Sequence, residues 1–115
     1  EKEEKEESPL WGMPLSLPAL TLAQRAQERA KREGLLSASR ADLLSDAMLA
    51  LERLEGIEDR EAAARELGEL LFNLADLARQ LGVDAESALR MATTSFGERA
   101  AASRAQRQGS AAQGD

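Results

Sequence analysis

The sequence contains no cysteine, no histidine and no tyrosine. The absence of cysteine excludes disulfides, thiolate metal sites and cysteine nucleophiles. The absence of histidine removes the commonest general base and the commonest transition-metal ligand. Catalysis, if any, must draw on carboxylates, hydroxyls, Lys, Arg or a metal held through oxygen. Aromatic residues are scarce, with one Trp and two Phe. The net charge is −6, and no basic patch interleaved with aromatics appears, which argues against a nucleic-acid partner. No apolar run approaches the roughly 18 residues of a membrane span, and no signal peptide is visible, so the expected location is the cytoplasm. The start at Glu1 rather than Met reads as a piece of something longer.

What is present favours helices. Ala and Leu dominate while β-branched residues are few. The length of 115 residues suits one domain and is too short for two. Residues 1–8 are a block of Glu and Lys, read as a frayed helix end or a disordered arm. Pro9, Gly12 and Pro14 then punctuate a stretch anchored by Trp11, Met13 and Leu15. Residues 1–15 are therefore expected to form an acidic arm and docked linker, with Trp11 packing on the helices rather than serving as a ligand platform.

From residue 16 to 100 the pattern is helical. Ser16 and Pro18 suggest a first helix that stops at Gly34, with Leu20, Ala23, Ala26, Gln27 and Ala30 on its inner face. Ser39 is a candidate N-cap for a second helix with the stripe Leu43, Leu44, Ala47, Met48, Leu51 and Leu54. The short turn after Gly56 requires the second and third helices to lie antiparallel. The third helix carries Leu67, Leu70, Leu71, Leu74, Leu77 and Leu81 and ends at Gly82. A fourth starts near Asp84 and holds Leu89, Met91 and Phe96, with Gly97 a possible stop. Residues 101–115 read as a frayed or disordered tail. The expected fold is an all-α four-helix bundle. Its Ala-rich core is small, so pairing into a homodimer through the third and fourth helices is expected.

The third helix carries a second pattern. Glu66, Glu69, Asn73 and Asp76 recur at steps of three and four, which lines oxygen-bearing side chains along one face. Such a row can hold a hard cation such as Mg²⁺, although acidic residues on a helix are more often its solvated face. Folding the hairpin about residues 57–58 sets Asp46 opposite Glu69. Glu52 and Glu55 fall too close to the turn and are expected to pair with Arg53 and its neighbours along their own helix.

These residues resemble a known family. Leu17-Pro18-Ala19-Leu20, then Glu66-Leu67-Gly68-Glu69-Leu70-Leu71-Phe72, then Leu77-Ala78-Arg79-Gln80-Leu81-Gly82, and Ala88-Leu89-Arg90 through Phe96 and Arg99 are similar to runs of the MazG nucleotide pyrophosphohydrolases. The likeness spans roughly residues 2–100 and is strongest to the C-terminal domain of a long, two-domain MazG. It implies a dimeric all-α domain that hydrolyses nucleoside triphosphates to monophosphate and pyrophosphate, with Mg²⁺ held by one acidic motif on the second helix and one on the third. On this resemblance Asp46, Glu66 and Glu69 are the metal candidates, Asp76 is a further one, and Arg99 is a nucleotide contact.

The departures from the pattern weigh equally. The second-helix motif is reduced to Asp46 followed by Ala47 and Ala50, and the family's helix 4 Asn and Lys are replaced by Thr93 and Ser95. Few ligands then remain for a strongly hydrated ion. Three readings follow: a copy weakened or inactive, needing no cofactor and kept for dimerisation or to support a second MazG domain upstream; an active Mg²⁺-dependent enzyme acting on nucleoside triphosphates; or an unrelated helical interaction module.

Overall fold

A computed structural model describes residues 9–35 and 37–113; the charge block at 1–8 lies outside the described residues. Its helices are α1 (Ala19–Arg32), α2 (Arg40–Glu55), α3 (Arg60–Gln80) and α4 (Ala85–Gln113), and no strand occurs among the described residues. The all-α class and the four helices expected from the sequence are both present.

Local chemistry sets the helix ends. Ser39 Oγ accepts the Asp42 N–H at 3.1 Å and starts α2. Asp59 Oδ2 accepts the Ala62 N–H at 2.9 Å and starts α3. Each bond satisfies a donor left free by the first helical turn. Gly34 and Gly82, at φ +69° and +73°, end α1 and α3 in the left-handed region that glycine enters without a Cβ clash. Behind each, the next amide reaches back across the last turn: Leu35 N–H to Ala30 C=O at 2.9 Å, and Val83 N–H to Ala78 C=O at 2.8 Å. The start of α1 differs from expectation. Pro18 itself is the N-cap, without a side-chain bond, and Ser16 stays outside the helix. The first helical bond is donated by Leu22 to the Pro18 carbonyl.

The chain divides into two compact units, Glu1–Ala85 and Glu86–Asp115. In the first, α3 packs on both α2 and α1. Two glutamines one turn apart tie α1 to α3. Gln24 Nε2 donates to Ala75 C=O at 2.9 Å, and Gln27 Nε2 donates to Phe72 C=O at 2.8 Å. Ascending numbers on α1 meet descending numbers on α3, so these helices run antiparallel. Gln24 also donates to Val83 C=O and accepts the Ala85 N–H, which ties the segment that follows α3 to α1. The buried apolar residues are Ala26, Leu43, Ala50, Leu70, Ala75 and Ala85. Mostly alanine, they permit close helix approach but supply little apolar area.

The stripe expected on α2 is corrected. Leu43, Ala47, Ala50 and Leu54 face inward, whereas Leu44, Met48 and Leu51 are exposed, Met48 at 69%. The two sets lie a single residue apart along the chain, and α2 is apolar on both, so periodicity alone could not choose between them. On α3, Leu67, Leu71 and Leu74 are likewise exposed.

In the second unit α4 continues to Gln113, beyond the boundary placed at residue 100 and through Gly97. Its last stretch is rich in Ala, Gln and Arg, all strong helix formers, which explains continued winding where composition suggested fraying. Leu89, Met91 and Phe96, expected on an inner face, are exposed.

The Asp59 cap offers a direct check. Asp59→Ala should lower stability by about 1 kcal/mol and Asp59→Asn by much less. Urea denaturation should register this as a shift in midpoint with the slope preserved.

Candidate functional site

Glu66 and Glu69 lie one turn apart on α3 and line one shallow cleft of about 260 Å³ with Ile57, Ala62 and Arg65. Asp46, on α2, does not line it. Glu69 and Asp46 are exposed, while the Glu66 side chain is mostly covered.

What covers Glu66 is Arg53. The guanidinium crosses from α2 and engages both carboxylate oxygens, Nε on Oε1 and Nη2 on Oε2, the latter at 3.3 Å. This two-pronged geometry fits a planar guanidinium to a planar carboxylate. It corrects the sequence expectation that Arg53 pairs with Glu52 or Glu55 along its own helix. Hairpin symmetry places Arg53 about one turn from the level of Glu66, a gap that the long side chain spans. The hydrogen bond from Arg53, with its positive charge, holds the Glu66 carboxyl below the usual glutamate range, against an opposing push from desolvation. Arg53 is correspondingly raised, chiefly by its bond to Glu66, and the negative charge of Asp46 adds to this. Asp46 and Glu66 thus both act on the charge of Arg53, Glu66 far more strongly.

Asp76 is committed elsewhere. Arg79 donates to Asp76 Oδ1 from Nε at 3.0 Å and from Nη2 at 2.7 Å, and its Nη1 reaches Glu28 at 3.4 Å. Ten residues separate Asp76 from Glu66 on α3, about 15 Å of helix axis. Asp76 therefore belongs to an ion network that joins α1 to α3, apart from the acidic pair. Arg99 is exposed on α4, within the second unit.

Among the described residues no three acidic side chains converge tightly enough to hold a metal ion. Glu66 has both oxygens on Arg53, which leaves Glu69 in the cleft and Asp46 outside it. A strongly hydrated ion needs several protein oxygens or a substrate to complete its shell, and this arrangement does not fit one. Sequence reasoning missed Arg53. The readable signal was a basic residue on the α2 face that also carries Asp46, seven positions earlier.

The comparisons with known proteins agree with the motif runs. The chain is 36% identical over 99 residues to the nucleoside triphosphate pyrophosphohydrolase/pyrophosphatase MazG of Thermotoga maritima, a match covering 86% of this chain and 39% of that protein. It is 32% identical over 97 residues to the nucleoside triphosphate pyrophosphohydrolase of Escherichia coli K12, covering 80% of this chain and 37% of that protein. The chain thus spans under two-fifths of the length of each of these relatives. No family model matches it.

The Arg53–Glu66 pair has a titration consequence. Because the folded pKa of Glu66 is depressed, the pair stabilises the fold fully above the unfolded glutamate value of about 4.3, and this contribution is lost as pH falls through the lower folded value. Carboxyl-carbon NMR should find Glu66 titrating below that value in the parent, and moving up toward it in Arg53→Met. A Glu66 titration that ignores the substitution would contradict the pair in solution.

Proposed function

The chain belongs to the MazG nucleoside triphosphate pyrophosphohydrolase family, and we propose that this copy is a lapsed catalytic domain retained for assembly. The family reaction cleaves the bond between the α- and β-phosphates of a nucleoside triphosphate with water. Such chemistry needs positive charge on the phosphate oxygens as negative charge shifts toward the leaving pyrophosphate. The observation that carries the proposal is the use of Arg53: its fixed charge is committed to both oxygens of Glu66, the acid that a metal would need. With Ala47 and Ala50 where the family pattern has carboxylates, α2 offers no replacement.

Assembly is the second part of the reading. Leu44, Met48 and Leu51 on α2, and Leu67, Leu71 and Leu74 on α3, each recur at four and then three residues and are exposed. Apolar stripes of this kind mark protein–protein contacts, and a second copy of the same chain is the partner that would cover both at once. Because the relatives are much longer, the domain would work in a longer protein, where another domain of the same family does the chemistry in the cytoplasmic nucleotide pool.

One observation favours the active alternative: Glu66 and Glu69 still line a common cleft. Pyrophosphate release decides between the two. The chain, given Mg²⁺ and a panel of ribo- and deoxyribonucleoside triphosphates, should release no pyrophosphate above background. Turnover that Glu69→Ala abolishes would establish the active alternative. Light scattering should give twice the chain mass, and Met48→Glu should shift it to the single-chain mass. A clean monomer in the parent would sink the dimer.

A further inference from the structure

The turn ahead of α1, Pro9–Gly12, carries backbone strain. Leu10 and Trp11 sit in the left-handed region at φ 57° and 53°, and Gly12 follows at φ 77°. No other non-glycine residue among the described ones has a positive φ. Gly12 adopts this conformation freely, whereas Leu10 and Trp11 each press a Cβ toward the following carbonyl oxygen. Side chains other than Gly visit this region as single residues, so two in succession are unusual. The Met13 N–H donates to Leu10 C=O at 2.9 Å, a bond that closes the turn on itself.

The turn lies at a second cleft, of about 340 Å³. Leu10 and Trp11 line it together with Ala26 and Ala30 of α1, Leu43 of α2 and Phe72 of α3. Leu10 and Trp11 are half-buried. The Arg29 guanidinium lies 5.3 Å from the centroid of the indole ring, within range of a cation–π contact. Glu33, one turn further along α1, pairs with the same guanidinium. Arg29 is thus a seat on a rigid helix, and Trp11 rests on it. Strain of this kind persists only while the surroundings over-determine it. Weakening the seat therefore lets the stored strain drive the turn away, with Gly12 free to absorb the change in backbone angles.

We propose that Pro9–Gly12 is a spring-loaded strap: latched by Trp11 on Arg29 it covers the cleft, and unlatching opens the cleft to solvent. The two states are conformations of the chain itself. They require neither a bound ligand nor turnover, and the strap does not depend on whether the acidic pair is active.

A single tryptophan and the lack of cysteine give two independent readouts on the intact chain. Acrylamide quenching of Trp11 reports the latch. The rate at which a thiol introduced by Ala26→Cys, at a buried position lining the cleft, reacts with a disulfide reagent reports the opening. Ala30→Cys gives a second thiol position in the same cleft, and the quenching is read without either cysteine. Arg29→Met keeps an apolar stem and removes the cation. It should raise both the quenching constant and the thiol rate, the rate about two- to fivefold, the effect of losing a cation–π contact at a partly exposed site. Leu10→Gly and Leu10→Ala both remove the side chain, but only Ala retains the left-handed cost. The thiol should therefore react roughly fivefold more slowly with Leu10→Gly than with Leu10→Ala. Helicity by circular dichroism should match the parent throughout. Unchanged quenching and thiol rate in Arg29→Met would overturn the proposal, as would equal thiol rates in the two Leu10 variants. Faster quenching with an unchanged thiol rate would show a turn that moves without covering the cleft, and a loss of helicity in Arg29→Met would make the contact part of the fold; either result also overturns the strap.

Discussion

Arg53 reaches across the seam between α2 and α3 and holds both oxygens of Glu66. It can do so because the turn between Glu55 and Arg60 is too short to let the helices slide. The Asp59 cap fixes where α3 begins, the turn fixes the register, and the register decides which α2 side chains meet the acidic row. Once that register is set, the nearest cation to Glu66 is supplied by the protein itself. The α2–α3 seam is thus bridged by an ion pair at Glu66.

The α1–α3 seam is built differently. Its buried residues are small, so apolar burial alone would hold the helices weakly. Gln24 and Gln27 add directional ties to backbone carbonyls of α3, and Arg79 links Asp76 and Glu28 across the same pair of helices. Hydrogen bonds from a half-buried and a buried amide specify a spacing and an orientation that alanine contacts leave loose.

Features fixed within one turn of chain were legible in the sequence. Ser39, Gly34 and Gly82 act where they were expected to, because capping depends on a side chain or a glycine at one position. Features that depend on reach between helices were not legible. Spacing pairs Arg53 with neighbours on its own helix, since it does not say how far a guanidinium extends across a seam. On α2, the pattern fits Leu44, Met48 and Leu51 to the core as well as it fits Leu43, Ala47 and Ala50, because a helix that is apolar on two faces has no unique inward phase. The acidic row on α3 is visible in the sequence, but its split into Glu66 with Arg53 and Asp76 with Arg79 depends on how the helices meet. Gln27 was placed on the inner face of its helix, and a glutamine within an apolar stripe was itself the sign of a buried polar role.

Likeness to the MazG family and the proposed loss of its chemistry are compatible, because the likeness rests on the leucine-rich run of α3 whereas the proposal concerns a few carboxylates around it. The proposal that this copy has lapsed stands on whether a divalent ion can displace Arg53 from Glu66. Isothermal calorimetry with Mg²⁺ on the intact chain measures this directly. No saturable heat is expected up to millimolar Mg²⁺, whereas binding at micromolar Mg²⁺ that Glu66→Gln removes would show that the ion displaces Arg53 and that this copy has not lapsed.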